Sequence, residues 1–110
     1  MRPDTEGLFG KGGAIVATYV TLYRYTDEGI KGVKNAGEIA QGWQQEAQKR
    51  GVTVQTLLWL QGAYDALTIV EGDDDAVNGL LLAIGAQGVL RTETSRAFTL
   101  DDLQRYVKGI

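Results

Sequence analysis

The chain predicts an α+β fold of the ferredoxin-like kind: a βαββαβ plan with a four-stranded antiparallel sheet, helices on one face and a short C-terminal helix. Three observations carry the prediction. A β-branched and aromatic run over residues 14–25 gives way to apolar residues at a spacing of three or four, which reads as a strand followed by a helix. Two further strand-like runs, 52–60 and 64–71, are separated only by Gln61, Gly62 and Ala63, which reads as an antiparallel hairpin. A second helical pattern and a fourth strand-like run follow, so each half is a βαβ unit, and right-handed crossovers then fix the topology.

Residues 1–13 read as a flexible leader before a single domain at 14–110. They hold the only proline, Pro3, and four glycines, with no periodicity. The stretch from Gly7 to Gly13 superficially suggests a phosphate loop, but it lacks the Gly-Lys-Ser/Thr ending and a preceding strand.

In the first strand, alternation puts Val20 and Leu22 on one face and Tyr19, Thr21, Tyr23 and Tyr25 on the other. The aliphatic set suits a core under helices. The tyrosine row suits a half-wet interface between sheets. Thr26 or Asp27 then caps a helix whose stripe is Ile30, Val33, Ala36, Ile39, Ala40, Trp43 and Ala47, with a kink or division at Asn35-Ala36-Gly37.

The second strand carries Leu57, Leu58, Trp59 and Leu60 and is apolar on both faces, which predicts a central or doubly covered position. Asp73, Asp74 and Asp75 precede the helix at 76–86, where acids favour the positive helix N-terminus. The fourth strand, 89–98, alternates Arg91, Glu93 and Ser95 against Thr92, Thr94 and Arg96. Its charges are expected to join an Arg–Glu and Arg–Asp network, because an unpaired buried charge is costly. Thr99-Leu100-Asp101-Asp102 resembles a capping box and opens a last helix with Leu100, Leu103 and Val107 inward.

Composition narrows the chemistry. The 110 residues include neither cysteine nor histidine, which removes disulfides, thiolate metal sites, the commonest zinc ligand and the commonest general base. A net charge of −3 argues against phosphate-backbone binding, so no nucleic-acid partner is expected. No apolar run reaches the length of a membrane span and no signal peptide is visible. A cytoplasmic protein without cofactor or metal is the expectation.

The sharpest short motif is Gly62-Ala63-Tyr64-Asp65. Read structurally, Gly62 supplies a positive-φ turn, Tyr64 packs its ring, and Asp65 accepts backbone N–H bonds or pairs with an arginine. Read chemically, Tyr64 and Asp65 are the catalytic candidates, a proton-transfer or ligand-orienting pair. Tyr19, Tyr23, Arg91 and Arg96 are the ligand-binding candidates, with arginine forks and tyrosine hydroxyls suited to a small anion.

Together with the segments Tyr19-Val20-Thr21-Leu22-Tyr23-Arg24-Tyr25-Thr26-Asp27-Glu28-Gly29-Ile30-Lys31 and Arg91-Thr92-Glu93-Thr94-Ser95-Arg96-Ala97-Phe98, this motif resembles the GYD-domain family, over roughly residues 17–102. At the position of Ser95 the family pattern is usually apolar, so which face of the last strand is buried stays open. The resemblance implies a ferredoxin-like domain related to the dimeric α/β-barrel superfamily, whose sheets pack together across protomers. It implies no established activity and no catalytic residues.

Two functional readings follow. One is a homodimeric or higher homo-oligomeric module joined through its sheet face, with room for a small-molecule ligand between sheet and partner. The other is a cofactor-independent enzyme of the dimeric-barrel type, an isomerase or oxygenase acting on a small aromatic or carbonyl compound. It would use Tyr64 or Asp65 as acid or base and Arg91 or Arg96 as anion stabiliser.

Overall fold

A computed structural model describes residues 16–110. The expected leader at 1–13, and the glycine-rich stretch within it, lie outside the described residues. The elements run β1 (Val16–Tyr25), α1 (Asp27–Ile30), a 3-10 turn (Val33–Asn35), α2 (Ala36–Lys49), β2 (Thr53–Trp59), β3 (Ala66–Asp73), α3 (Asp74–Ala86), β4 (Leu90–Ala97) and α4 (Leu100–Val107). The sheet order is β2-β3-β1-β4 with every neighbour antiparallel, which is the predicted ferredoxin-like plan.

Local chemistry accounts for the element ends. The Thr26 hydroxyl accepts from the Gly29 N–H to start α1, and the Asp73 carboxylate accepts from the Ala76 N–H to start α3. The first long helix is divided as expected, although the break lies slightly earlier, from Lys31 to Asn35. Gly62 turns the β2–β3 hairpin at a φ of +149°, a backbone conformation that favours glycine.

The face assignment of β1 is the reverse of the one its alternation suggested. Ala17, Tyr19, Thr21 and Tyr23 are the buried set, packed with Val70, Val77, Leu80 and Ile84 beneath the helices. Val20 and Leu22 stand on the opposite, open face. Tyrosine and threonine are tolerated inside because each hydroxyl finds a partner. Tyr19 donates to Asp74, Thr21 bonds Thr94, and Tyr23 bonds Thr68, all at 2.9 Å. Among the described residues no buried side-chain nitrogen or oxygen lacks a partner.

Three further expectations are corrected. β2 is an edge strand, neither central nor covered on both faces by this chain: Leu58 is 52% and Trp59 49% exposed. The stripe on the first helices does not fill a core along its whole length. Ala47 is buried, whereas Ile30, Val33 and Ile39 are exposed. Leu100, Leu103 and Val107 do not point inward either; all three are exposed on α4.

Helix α4 is nonetheless well specified at its start. The Thr99 hydroxyl accepts from the Asp102 N–H and the Asp102 carboxylate accepts from the Thr99 N–H, each at 3.1 Å, closing a capping box. Arg105 adds an ion pair to Asp102 at 3.0 Å. The Thr99 backbone N–H, and then the Thr99 hydroxyl and Arg105, hold the Asp102 carboxyl below its ordinary value, against the opposing effect of desolvation. A carboxyl depressed in the folded state stabilises above its unfolded pKa, and that stabilisation is lost as pH falls through the folded one. Amide protection in α4 is therefore expected to collapse as pH falls below about 4, ahead of the sheet. Hydrogen exchange resolved by residue checks this, and an α4 still protected at pH 2 would count against it.

Candidate functional site

Two places in the fold concentrate chemistry, one on each face of the sheet. The first is built by the Gly62-Ala63-Tyr64-Asp65 turn. Asp65 anchors the hairpin to the end of β1: its carboxylate accepts from the Tyr25 N–H at 2.8 Å, and its own N–H donates to the Tyr23 carbonyl at 2.8 Å. The Leu60 N–H donates to the Asp65 carbonyl at 2.8 Å and closes the loop. These bonds match the structural reading of the aspartate, which accepts backbone N–H groups.

Tyr64 reaches across to the open face. Its hydroxyl donates to Glu93 at 2.6 Å, and the Arg24 guanidinium lies 4.6 Å from its ring centroid. Arg24 also donates through Nε to the Ala63 carbonyl at 2.9 Å. The bond to Glu93 raises the Tyr64 pKa above that of free tyrosine, and the charge of Glu93 adds to the rise. Tyr64 thus stands as a hydrogen-bond donor to Glu93.

The fourth strand divides its polar residues between the faces. Register places Arg91, Glu93 and Ser95 opposite Arg24, Leu22 and Val20 on the open face, and Thr92, Thr94 and Arg96 opposite Tyr23, Thr21 and Tyr19 on the helix side. The expected ion-pair network does not form within the chain. Among the described residues no carboxylate lies within salt-bridge distance of Arg91 or Arg96. Arg91 instead donates to the Gly85 and Leu90 carbonyls at 3.3 Å each, and Arg96 stacks over the Tyr19 ring at 5.7 Å. Both arginines are exposed, so water does the solvation that a buried charge would have demanded of a partner. The arrangement therefore does not bring Arg91 and Arg96 together into one anion clamp.

The second place is a cavity of about 420 Å³ between the sheet and the first helices. Its walls include Tyr23, Tyr25, Trp43, Trp59, Thr68 and Leu90. Small residues contribute to its walls: Ala36 and Ala40 from α2 and Ala66 from β3. Its two most buried hydroxyls are occupied. Tyr23 and Thr68 satisfy each other, and burial pushes the Tyr23 pKa up, so that hydroxyl stays protonated. The Trp59 indole N–H points to the Tyr25 oxygen at 3.4 Å, a long contact. The proton of the Tyr25 hydroxyl has no partner among the described residues.

Of the residues singled out from the sequence, Tyr23 lines the cavity, whereas Tyr19, Tyr64, Asp65, Arg91 and Arg96 do not. Tyr25, Trp43, Trp59 and Thr68 were not among the site candidates, although Tyr25 stood in the tyrosine row, Trp43 in the helix stripe and Trp59 in the second strand. The signal that could have found them is the alanine pair Ala36 and Ala40 in an otherwise bulky stripe.

The family comparison bears on the whole of this architecture. The GYD domain matches residues 19–107, a span from the middle of β1 to the end of α4. Neither the curated proteins nor the solved structures contain a significant match. Among the described residues no helix is long and apolar enough to cross a membrane. With its Gly62-Ala63-Tyr64-Asp65 turn fastening the hairpin to β1 and β4, and the match covering most of its length, the chain belongs to the GYD-domain family.

Proposed function

We propose that the protein is a homo-oligomeric small-molecule-binding module. Copies associate through the open sheet face, and each holds a small, largely apolar ligand in the cavity between its sheet and its own helices. The observation that carries this reading is the cavity: at about 420 Å³ it falls within the usual 300–1,000 Å³ of ligand sites. Because the Tyr23 and Thr68 hydroxyls satisfy each other, an apolar guest strands neither of them on entering. The Tyr25 proton, without a partner among the described residues, suits a single acceptor atom on the guest.

The oligomer is supported by the opposite face. Val20, Leu22, Leu58, Leu67 and Ile69 form an apolar row that no described element of this chain covers. The enzymatic alternative lacks comparable support, since Tyr64, Asp65, Arg91 and Arg96 are all outside the cavity.

Both halves can be tested directly. Light scattering at micromolar concentration should give at least twice the 11.9 kDa chain mass, and a monomer would remove the oligomer half. The chain's two tryptophans, Trp43 and Trp59, both line the cavity, so their fluorescence responds to a guest there. 1-Naphthol should quench them saturably, and Ala40→Phe, which fills the space, should weaken that binding by about tenfold or more, on the order of 1.4 kcal/mol. Quenching unaffected by the substitution would place the probe elsewhere.

A further inference from the structure

We propose that the guest of the cavity is a straight-chain carbonyl compound, a medium-chain alkyl ketone or ester. Its uncharged head lies against Tyr25 at the α1 end, and its chain runs under α2 to a closed end at Val70. The proposal rests on the small-molecule reading above and adds the guest's shape, direction and charge.

Shape follows from the walls, which track one helix face from end to end. Ala36, Ile39, Ala40, Trp43, Gln44 and Ala47 all line the cavity, at spacings of one, three and four. From Ala36 to Ala47 the α-helical rise makes that stripe about 16 Å long. The sheet beneath keeps pace. Trp59, Leu57 and Val54 on β2 pair with Ala66, Thr68 and Val70 on β3, and all of them border the same space. A cavity of about 420 Å³ drawn out in this way is a slot. An extended chain can occupy its whole length, whereas a compact ring system fills only part.

Direction follows from the two ends, which differ in exposure and polarity. At the α1 end the Glu28 and Lys31 side chains are 75% and 73% exposed, and Trp59 is half-exposed. At the other end Ala47, Val70 and Leu80 are buried. Hydrogen-bonding side chains gather at the open end, in Tyr25, Glu28, Lys31 and Trp59. Deeper in, Tyr23 and Thr68 bond each other, and Gln44 is an exposed residue of α2. A guest with one polar end therefore seats its tail inside, because burying apolar chain is favourable and burying an unpartnered polar head is costly.

The charge of the head follows from the open end. Glu28 and Lys31 pair at 3.5 Å, so the lining there carries one charge of each sign. A carboxylate head would meet a like charge in Glu28, and an ammonium head would meet one in Lys31. The group on offer is the Tyr25 proton, since the Trp59 N–H is directed at the Tyr25 oxygen. A carbonyl oxygen accepts that proton and brings no donor that needs an acceptor in turn, as an alcohol would.

Calorimetric titration with 2-alkanones, from 2-heptanone to 2-tridecanone, tests the slot. Each added methylene should tighten binding by about fourfold, the equivalent of ~0.8 kcal/mol. The gain should stop near about eleven or twelve carbons, where an extended chain spans the ~16 Å of the stripe. Affinity independent of length would overturn the proposal. Decanoate should bind about tenfold or more weakly than 2-undecanone, and equal binding would overturn the uncharged head.

Two variants test the direction. Tyr25→Phe should weaken every ketone by one common factor, about three- to tenfold. Val54→Phe, at the far end of an edge strand, should weaken 2-undecanone by about tenfold or more and leave 2-heptanone within about twofold. A Val54→Phe protein with unchanged far-UV spectrum that weakens both ketones equally overturns the direction; should that variant not fold, a Tyr25→Phe protein that binds every ketone as the parent does overturns it instead. 1-Naphthol separates this idea from the reading beneath it. Naphthol binding that Ala40→Phe weakens, beside ketones bound without regard to length, refutes the slot and leaves the cavity reading standing. Binding of neither probe refutes both.

Discussion

Replacing Gly29 with alanine is expected to destabilise the protein by roughly 3–4 kcal/mol, lowering its melting temperature by about 10–20 °C. Gly29 is buried in α1 against the backbone of Val89, just before β4. A methyl group there would overlap the Val89 carbonyl oxygen and stand 2.7 Å from the carbonyl carbon. Neither atom belongs to a flexible side chain, so the strain cannot be relieved by a rotamer change. Moving α1 away would also strain the Thr26 N–H bond to Val89 (3.1 Å) and the Thr26 hydroxyl bond to Gly88 (2.7 Å). Overpacking costs about 1–3 kcal/mol and each lost bond about 1 more. Gly42→Ala is the control, because its added methyl meets nothing within 4 Å in the interior of α2. That change should stabilise by about 0.5–1 kcal/mol. Urea unfolding followed by circular dichroism checks both, and a Gly29→Ala protein within about 1 kcal/mol of the parent would refute the close-approach argument.

The second large effect is expected at the floor of the cavity, where Tyr23 and Thr68 share one hydrogen bond at 2.9 Å. Tyr23→Phe leaves the threonine hydroxyl unpaired, and Thr68→Val does the same to the tyrosine. Each single change should cost about 1–3 kcal/mol, the desolvation penalty of a stranded buried hydroxyl. The double variant removes both partners at nearly constant volume and should cost less than the sum of the two. The coupling should be about 1–2 kcal/mol, measured as a double-mutant cycle in denaturant. Strict additivity would mean that the hydroxyls do not satisfy each other, and with it would fall the argument that an apolar guest strands neither of them.

The expected roles of Tyr64 and Asp65 show how far a motif can be read. Gly62 announces a turn by its type alone, and the structure puts it at positive φ. The bonds of Asp65 to Tyr25 and Tyr23, however, join positions some forty residues apart. Only the register of β1 against β3 brings them together, so a local reading could name the aspartate's habit without naming its partner. Tyr64 is a similar case, since its partner Glu93 lies across the sheet on β4.

What the sequence determined by itself is the order and type of the elements, the hairpin at Gly62, the acidic helix starts and the capping box at Thr99. All of these are local: they depend on side-chain periodicity and on hydrogen bonds between residues three or four apart. What only the tertiary structure decided is which face of each strand is buried. β1 is apolar enough on both sides for alternation to split it into two sets without saying which set the helices cover. The choice fell to Tyr19, Thr21 and Tyr23 because Asp74, Thr94 and Thr68 wait on other elements to satisfy their hydroxyls. The cavity was settled in the same way, since its walls come from β1, α2, β2, β3 and β4 and meet only in the folded chain. The outward stripe of α4 has the same cause: a helix can carry its own caps, but the surface that covers its apolar side must come from elsewhere in space.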